Sequence, residues 1–345
     1  MYCKNIDFLR YICGKYNKES HMYSFSEISK ELNKYIDTLD LSGDPQSLYE
    51  PIKYSLEGGG KRLRPMLTIL ACNIFSENPY SALPAAAAIE VFHNFTLLHD
   101  DIMDNAAVRR GKPSVFNKWG QNSAILSGDA MVICAYKLLY QTPTEYLASV
   151  LSCFNYMALA VCEGQQYDME FESRDDVTIE EYIAMIDKKT AALVVGATMI
   201  GAITGGAEKH NCQKLLTFAT EFGLAFQIQD DLLDAYGTEE QLGKRIGGDI
   251  VENKKTFLTI TALQKADKVK KKEILDLLAD KQMANEEKIA RMIAIYDELD
   301  IKAITEKEIN TRFDKALEAL DSIDVAAERL EPMKDVARSL LNRKR

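Results

Sequence analysis

The residues best suited to chemistry are two copies of one acidic pattern, Asp100-Asp101-Ile102-Met103-Asp104 and Asp230-Asp231-Leu232-Leu233-Asp234. Both follow apolar sequence, His93-Asn94-Phe95-Thr96-Leu97-Leu98 and Leu224-Ala225-Phe226-Gln227-Ile228-Gln229. On a helix of about 3.6 residues per turn, the first and fifth carboxylates share a face and the second flanks them. Like charges that close repel, so the arrangement costs stability unless cations neutralise it. A hard divalent ion such as Mg²⁺ meets that need, because it takes oxygen ligands and bridges carboxylates to substrate phosphates. One copy alone reads as a solvated acidic helix end. Two copies, each on a helix that otherwise reads as buried, point to opposed faces that hold a polyanion through metal.

Basic clusters accompany both copies. Glu57-Gly58-Gly59-Gly60-Lys61-Arg62-Leu63-Arg64-Pro65 is a glycine loop running into cations. Its backbone can approach an anion closely, although a solvated basic turn fits the same residues. It lacks the spacing of a nucleotide P-loop, and Pro65 suits the first turn of a helix beginning near Met66. Arg109-Arg110-Gly111-Lys112-Pro113 follows the first acidic copy, and arginines there can grip diphosphate oxygens bidentately. Lys189-Thr190 interrupts an apolar stretch, where a half-buried lysine needs either a substrate anion or a carboxylate of the core. Gly243-Lys244-Arg245-Ile246-Gly247-Gly248-Asp249-Ile250 and Asn253-Lys254-Lys255-Thr256 follow the second copy. His93 stands seven residues before Asp100, two helical turns down the same face. No Ser-His-Asp order, nucleophile elbow or GxGxxG loop is present.

The elements that position these groups read as helices. Leu83–Leu98, Ser123–Tyr140, Thr178–Thr204 and Asn211–Leu233 are long and lack strand alternation. Thr178, with Glu181 three residues later, has the form of a capping box. No Pro/Gly/Ser-rich linker divides the 345 residues, so we read 22–345 as one all-α domain after an N-terminal extension, 1–21. The longest apolar stretch, Ala191–Gly206, is shorter than the roughly 20 residues of a membrane span and reads as a buried helix. A net charge of −10 argues against nucleic acid as partner. The seven scattered cysteines suggest buried, reduced thiols, and residues 1–7 do not have the form of a signal peptide, so a cytoplasmic protein is expected. The basic end, Asn342-Arg343-Lys344-Arg345, suits a helix C-terminus.

From about Leu48 onward the chain resembles the trans-isoprenyl (polyprenyl) diphosphate synthases. The likeness rests on the Gly-Gly-Lys-Arg-Leu-Arg-Pro box, both DDxxD motifs, Arg109-Arg110-Gly111, Gly164-Gln165-Gln166-Tyr167-Asp168, Lys189-Thr190, Phe226-Gln227 and the Lys244/Asp249/Lys254 set, all in family order. It implies an isoprenoid-synthase-type helical bundle around a deep central cavity, acting as a homodimer that covers faces such as Leu126–Leu139 and Val150–Val161. The implied reaction joins isopentenyl diphosphate to an allylic diphosphate. Asp100, Asp104 and Asp230 would hold three Mg²⁺ (or Mn²⁺) on the allylic diphosphate, supported by Asp101, Asp231 and Asp234. Arg109, Lys189, Lys244 and Lys254 would complete that grip, with Asp249 in the same set. Gly60, Lys61, Arg64, His93 and Arg110 would hold isopentenyl diphosphate. Thr190 and Gln227 would lie near the developing allylic cation, with Gln165 and Asp168 lining the cavity. The pocket beneath the metals is expected to be dry and apolar, since water would trap the cation.

A terpene cyclase would share the ionisation but lack the Lys61/Arg64/His93 site, and a non-catalytic subunit would not keep all these carboxylates. Phe95 and Thr96, fifth and fourth before Asp100, fall roughly 6–7.5 Å below the metals and set chain length in this reading. One aromatic followed by Thr resembles the geranylgeranyl (C20) pattern, with farnesyl diphosphate (C15) as the alternative product.

Overall fold

In a computed structural model, the residues described are 23–238, 246–280 and 282–341. The extension 1–21, Lys244, the basic end 342–345, Cys3 and Cys13 therefore lie outside the described residues. Among the described residues sixteen α-helices follow one another: α1 Phe25–Asp37, α2 Gln46–Glu57, α3 Leu63–Phe75, α4 Leu83–Met103, α5 Val115–Trp119, α6 Gln121–Leu139, α7 Thr144–Glu172, α8 Ile179–Ile186, α9 Ala192–Thr204, α10 Lys209–Tyr236, α11 Gly248–Val251, α12 Phe257–Lys265, α13 Lys268–Ala279, α14 Asn285–Glu298, α15 Ile301–Asp321 and α16 Glu331–Leu341. The all-α expectation holds. The one departure among the described residues is a two-residue antiparallel ladder, β1 Val108–Arg109 with β2 Lys112–Pro113. Arg110 and Gly111 turn it at φ 53° and 74°, the left-handed pair that a tight hairpin demands.

Local chemistry sets the helix ends that matter. Ser24 and Thr178 both make full capping boxes, with Glu27 and Glu181 respectively. Between α8 and α9 the backbone widens into a π-turn, Asp187–Ala191, where the sequence suggests one continuous helix. Such turns concentrate at functional sites because they re-aim side chains. This one carries Lys189 and Thr190. Gly164 of α7 makes room for it, since a Cβ there would lie 2.2 Å from the Lys189 nitrogen. The helix after the glycine loop begins at Leu63, three residues before Met66 and with Pro65 in its first turn, as that proline allows.

The core is built from α4 against α6, α9 against α3 and α7, and α10 against α15. A second apolar cluster gathers Phe171, Tyr182, Ile228, Phe257 and Tyr296 beneath the second acidic copy. As expected, α9 is a largely buried helix. The helix that meets the length and composition of a membrane span is α7, not Ala191–Gly206, and 33% of its most apolar window is buried. Leu126 and Ile133 of α6, Tyr140 at its C-cap, and Tyr156 and Leu159 of α7 are exposed. The thiols also differ from expectation. Cys162 is exposed, Cys134, Cys153 and Cys212 are half-buried, and only Cys72 is buried among the described cysteines, all five of them free.

Candidate active site

The two acidic copies sit differently on their helices. The first ends α4, with Asp104 as C-cap donating its N–H to the Asp100 carbonyl at 2.9 Å. The second lies inside α10, which runs on to Tyr236. Asp100 and Asp230 are both half-buried. A cavity of about 280 Å³ opens between elements carrying Asp230, Asp168, Asp249, Lys189, Lys254 and Lys255, with Met185, Ile186 and Leu233 as its apolar wall. Lys254 lines this cavity, and its ammonium lies 3.2 Å from Glu252 Oε2 and 4.0 Å from Asp104 Oδ2 of the first copy. Burial works against that charge, but the carboxylates of Asp249, Asp104, Glu252 and Asp168 outweigh it and push the Lys254 pKa up. Burial pushes the Asp100 carboxyl up, and Asp104 adds to it against Lys189, Arg109 and Lys254. Lys189 is paired with Asp168, which itself lines the cavity, so the pair stands at the edge of the same space.

The second aspartate of each copy is a buried anchor. Asp101 takes Arg109 in a fork, Nε at 2.8 Å and Nη2 at 2.6 Å, which fixes the hairpin against α4. Asp231 accepts the Tyr182 hydroxyl at 2.5 Å and the Gln227 amide at 2.9 Å, with the Phe257 N–H at 3.4 Å. Burial, then the charge of Asp249, raises the Asp231 carboxyl to about 7 despite these donors. Thr190 in turn donates to Gln227 Oε1 at 2.8 Å. Asp234, expected in a supporting place, is a buried brace for the loop that follows. It is 1% exposed, does not line the cavity, and accepts the Asp249 N–H at 3.0 Å, while its carbonyl takes the Gly247 N–H at 2.7 Å. The reason is local, because the turn after α10 leaves backbone donors that need a buried acceptor.

A separate basic basin forms where α3, α4 and the hairpin meet. Arg64 Nη1 lies 3.2 Å from His93 Nε2, and Arg110 donates to the Gly59 carbonyl. Gly60 has φ 141°, a backbone that suits glycine, and a Cβ there would press on the Arg110 guanidinium at 3.1 Å. Lys61 is exposed at the rim. Burial, then Arg64, Arg110 and Arg109, hold the His93 imidazole well below its usual range, so it is neutral and accepts from Arg64. Arg64 Nε and His93 Nδ1 are buried without a hydrogen-bond partner.

Other expected residues are placed less directly. Gln165 is half-buried, its amide 3.6 Å from the Met103 sulfur, and does not line the cavity. Phe95 is half-buried, its ring 5.3 Å from that of Phe92 and 4.7 Å from His99, and Thr96 donates to the His93 carbonyl at 2.8 Å. Sequence reasoning missed Glu90, Asn94 and Tyr182. Glu90 is buried one turn below His93 and accepts from Asn94 at 3.1 Å. A lone acid inside Ala85–Phe92 is the signal that marks it. Tyr182 carries no such signal, because its partner Asp231 lies on another helix.

A sequence profile described as polyprenyl synthetase matches residues 45–296. The chain belongs to that family. The chain is 42% identical over 262 residues to a short chain isoprenyl diphosphate synthase of Methanocaldococcus jannaschii, covering 76% of this chain and 78% of the relative. It is 42% identical over 244 residues to a geranylgeranyl diphosphate synthase of Methanosarcina mazei, covering 70% and 75%. A crystal structure of a geranylgeranyl pyrophosphate synthase superposes with TM-score 0.89 at 37% identity, covering 93% of this chain and 99% of that one. The polyprenyl synthetase is thus an enzyme, a prenyltransferase that makes isoprenyl diphosphates.

Proposed function

We propose that this prenyltransferase joins isopentenyl diphosphate to allylic diphosphates up to geranylgeranyl diphosphate (C20), with two diphosphates in two distinct places. The observation that carries this reading is the separation of a carboxylate-and-lysine cavity from an arginine basin with unpartnered buried nitrogens. Asp100, Asp104 and Asp230 form an oxygen-only donor set suited to Mg²⁺. Among the described residues no three His, Cys, Asp or Glu side chains converge as a closed metal site. That fits an ion held by one or two carboxylates with the substrate's phosphates completing its shell. Three Mg²⁺, replaceable by Mn²⁺, would neutralise the diphosphate and the charge it gains on leaving.

The chain's own residues do the rest. Lys189 and Lys254 face the allylic diphosphate, and Lys244 is assigned there from its place in the motif. Arg109 shapes the site by clamping Asp101. Gly60, Lys61, Arg64, His93 and Arg110 hold isopentenyl diphosphate. Ionisation of the allylic carbon–oxygen bond leaves a cation that the isopentenyl double bond attacks, and the released diphosphate takes the final proton. Met185, Ile186 and Leu233 keep water from that cation. Phe95, with a small Thr96 above it, sets the floor at C20. The exposed side chains of α6 and α7 meet the same face of a second copy, a twofold interface that sedimentation near twice 38.8 kDa would confirm and a 38.8 kDa monomer would exclude. The direct test of product is chromatography after incubation with isopentenyl diphosphate, Mg²⁺ and dimethylallyl, geranyl or farnesyl starters. C20 is expected from all three. C15 as the end product, or no prenyl product, overturns the corresponding part of the reading.

A further inference from the structure

The polar floor of the cavity is a single hydrogen-bonded row, and its end is a residue with no assigned role. Asp231 receives three donors: Tyr182 hydroxyl at 2.5 Å and Phe257 N–H at 3.4 Å on one oxygen, and Gln227 Nε2 at 2.9 Å on the other. Gln227 is thus turned with its NH₂ toward Asp231, which as a carboxylate accepts on both oxygens. The amide carbonyl consequently faces Thr190, whose hydroxyl it accepts at 2.8 Å. An amide turned the other way would present two N–H bonds to the same space, and that dipole repels a cation.

We propose that Tyr182 is a positioning residue for ionisation: it anchors Asp231, Asp231 fixes the flip of Gln227, and the Gln227 and Thr190 oxygens are thereby aimed at the carbon that becomes positive. The inference rests on the two-diphosphate reading above and adds how its cation is stabilised. Tyr182 is 2% exposed and sits on α8, one turn before the π-turn that carries Lys189 and Thr190. Its ring is held by the apolar cluster of Phe257 and Ile228, so the hydroxyl has one direction to point. Oxygen dipoles fixed before the reaction stabilise developing charge without reorganising when it forms.

The test compares wild type, Tyr182→Phe, Gln227→Met and the double variant in a condensation assay with saturating Mg²⁺, alongside thermal melts. Wild type must first condense the two substrates; if it does not, the underlying reading fails, not this one. Tyr182→Phe is expected to lower kcat roughly tenfold, as for one hydrogen bond to a charged acceptor, with both KM values within about twofold. Gln227→Met is expected to lose more, and the double variant no more than Gln227→Met alone, because both act through one amide. Folded Tyr182→Phe with wild-type kcat, or losses that multiply in the double variant, overturns the proposal. If Tyr182→Phe does not fold, Gln227→Met decides: kcat within about twofold of wild type contradicts the amide's role outright.

Discussion

The two acidic copies share a five-residue pattern and part company at its end. In both, the first aspartate is half-buried and the second is a buried anchor, Asp101 to Arg109 and Asp231 to Tyr182 and Gln227. The fifth differs. Asp104 is exposed at a helix C-cap, 4.0 Å from Lys254, whereas Asp234 is buried and holds the backbone of Asp249. A helix that ends at its motif leaves the fifth carboxylate to the site. A helix that continues turns that carboxylate into a brace for the next loop. Identical spacing therefore gives a symmetric pair of first positions and an asymmetric pair of fifth positions.

The largest expected effect tests the symmetric part. Asp100→Ala and Asp230→Ala should each lower turnover by about 10²–10⁴, several kcal/mol of transition-state stabilisation, without lowering the melting temperature. Diphosphate release at saturating substrates measures it. A large loss in one variant alone would show that only one face works.

The asymmetric part predicts different losses. Asp104→Ala should raise the Mg²⁺ concentration needed for half-maximal rate and leave the melting temperature unchanged. Asp234→Ala strips a buried acceptor from the half-buried Asp249 N–H, at about 1–3 kcal/mol, so its melting temperature should fall by a few degrees. Equal melts for the two variants would erase the distinction.

The comparison also shows what the sequence makes legible. Helical periodicity, the capping box at Thr178 and the two acidic copies are local, and each appears where the residues suggest. The π-turn at Asp187–Ala191 is not local, because it depends on Gly164 of α7 letting two backbones meet. The hairpin turn at Arg110-Gly111 is hard to see in the sequence, because its strands are two residues long and Arg109 is held by Asp101 of another element. The different surroundings of Asp104 and Asp234 are not legible either, because a repeated pattern carries no information on where its helix stops. Tyr182 and Glu90 act through partners fixed by tertiary packing or by helix phase, not by motif.

A third contrast sets the basin against the cavity. Arg64→Ala should raise KM for isopentenyl diphosphate roughly ten- to hundredfold, and Lys189→Ala should do so for the allylic substrate. Initial rates with each substrate varied separately check it; the same change for both substrates in both variants would merge the two places into one. A smaller shift is expected in product length: Phe95→Ala should move products from C20 toward C25 by opening apolar space, and Thr96→Phe toward C15. Unchanged products from folded, active variants would make Phe95 a core residue only.

The smallest effect is on stability against pH. His93 is held neutral when folded, and an unfolded histidine titrates near about 6.5, so below that pH the unfolded chain binds the extra proton. Stability should therefore fall as pH drops from about 6.5 toward the lowered folded value. Melting temperatures of wild type and His93→Gln between those limits should converge at higher pH and separate at lower pH, with the wild type falling more steeply. Parallel curves would place the charge cost elsewhere.

Calorimetric titration of a non-ionisable allylic diphosphate analogue, such as a thiolodiphosphate, tests most directly whether both acidic faces hold one diphosphate through metal. Wild type with Mg²⁺ should bind, and EDTA, Asp100→Ala or Asp230→Ala should each abolish or greatly weaken binding. Undiminished affinity in EDTA, or in either variant, would contradict the account.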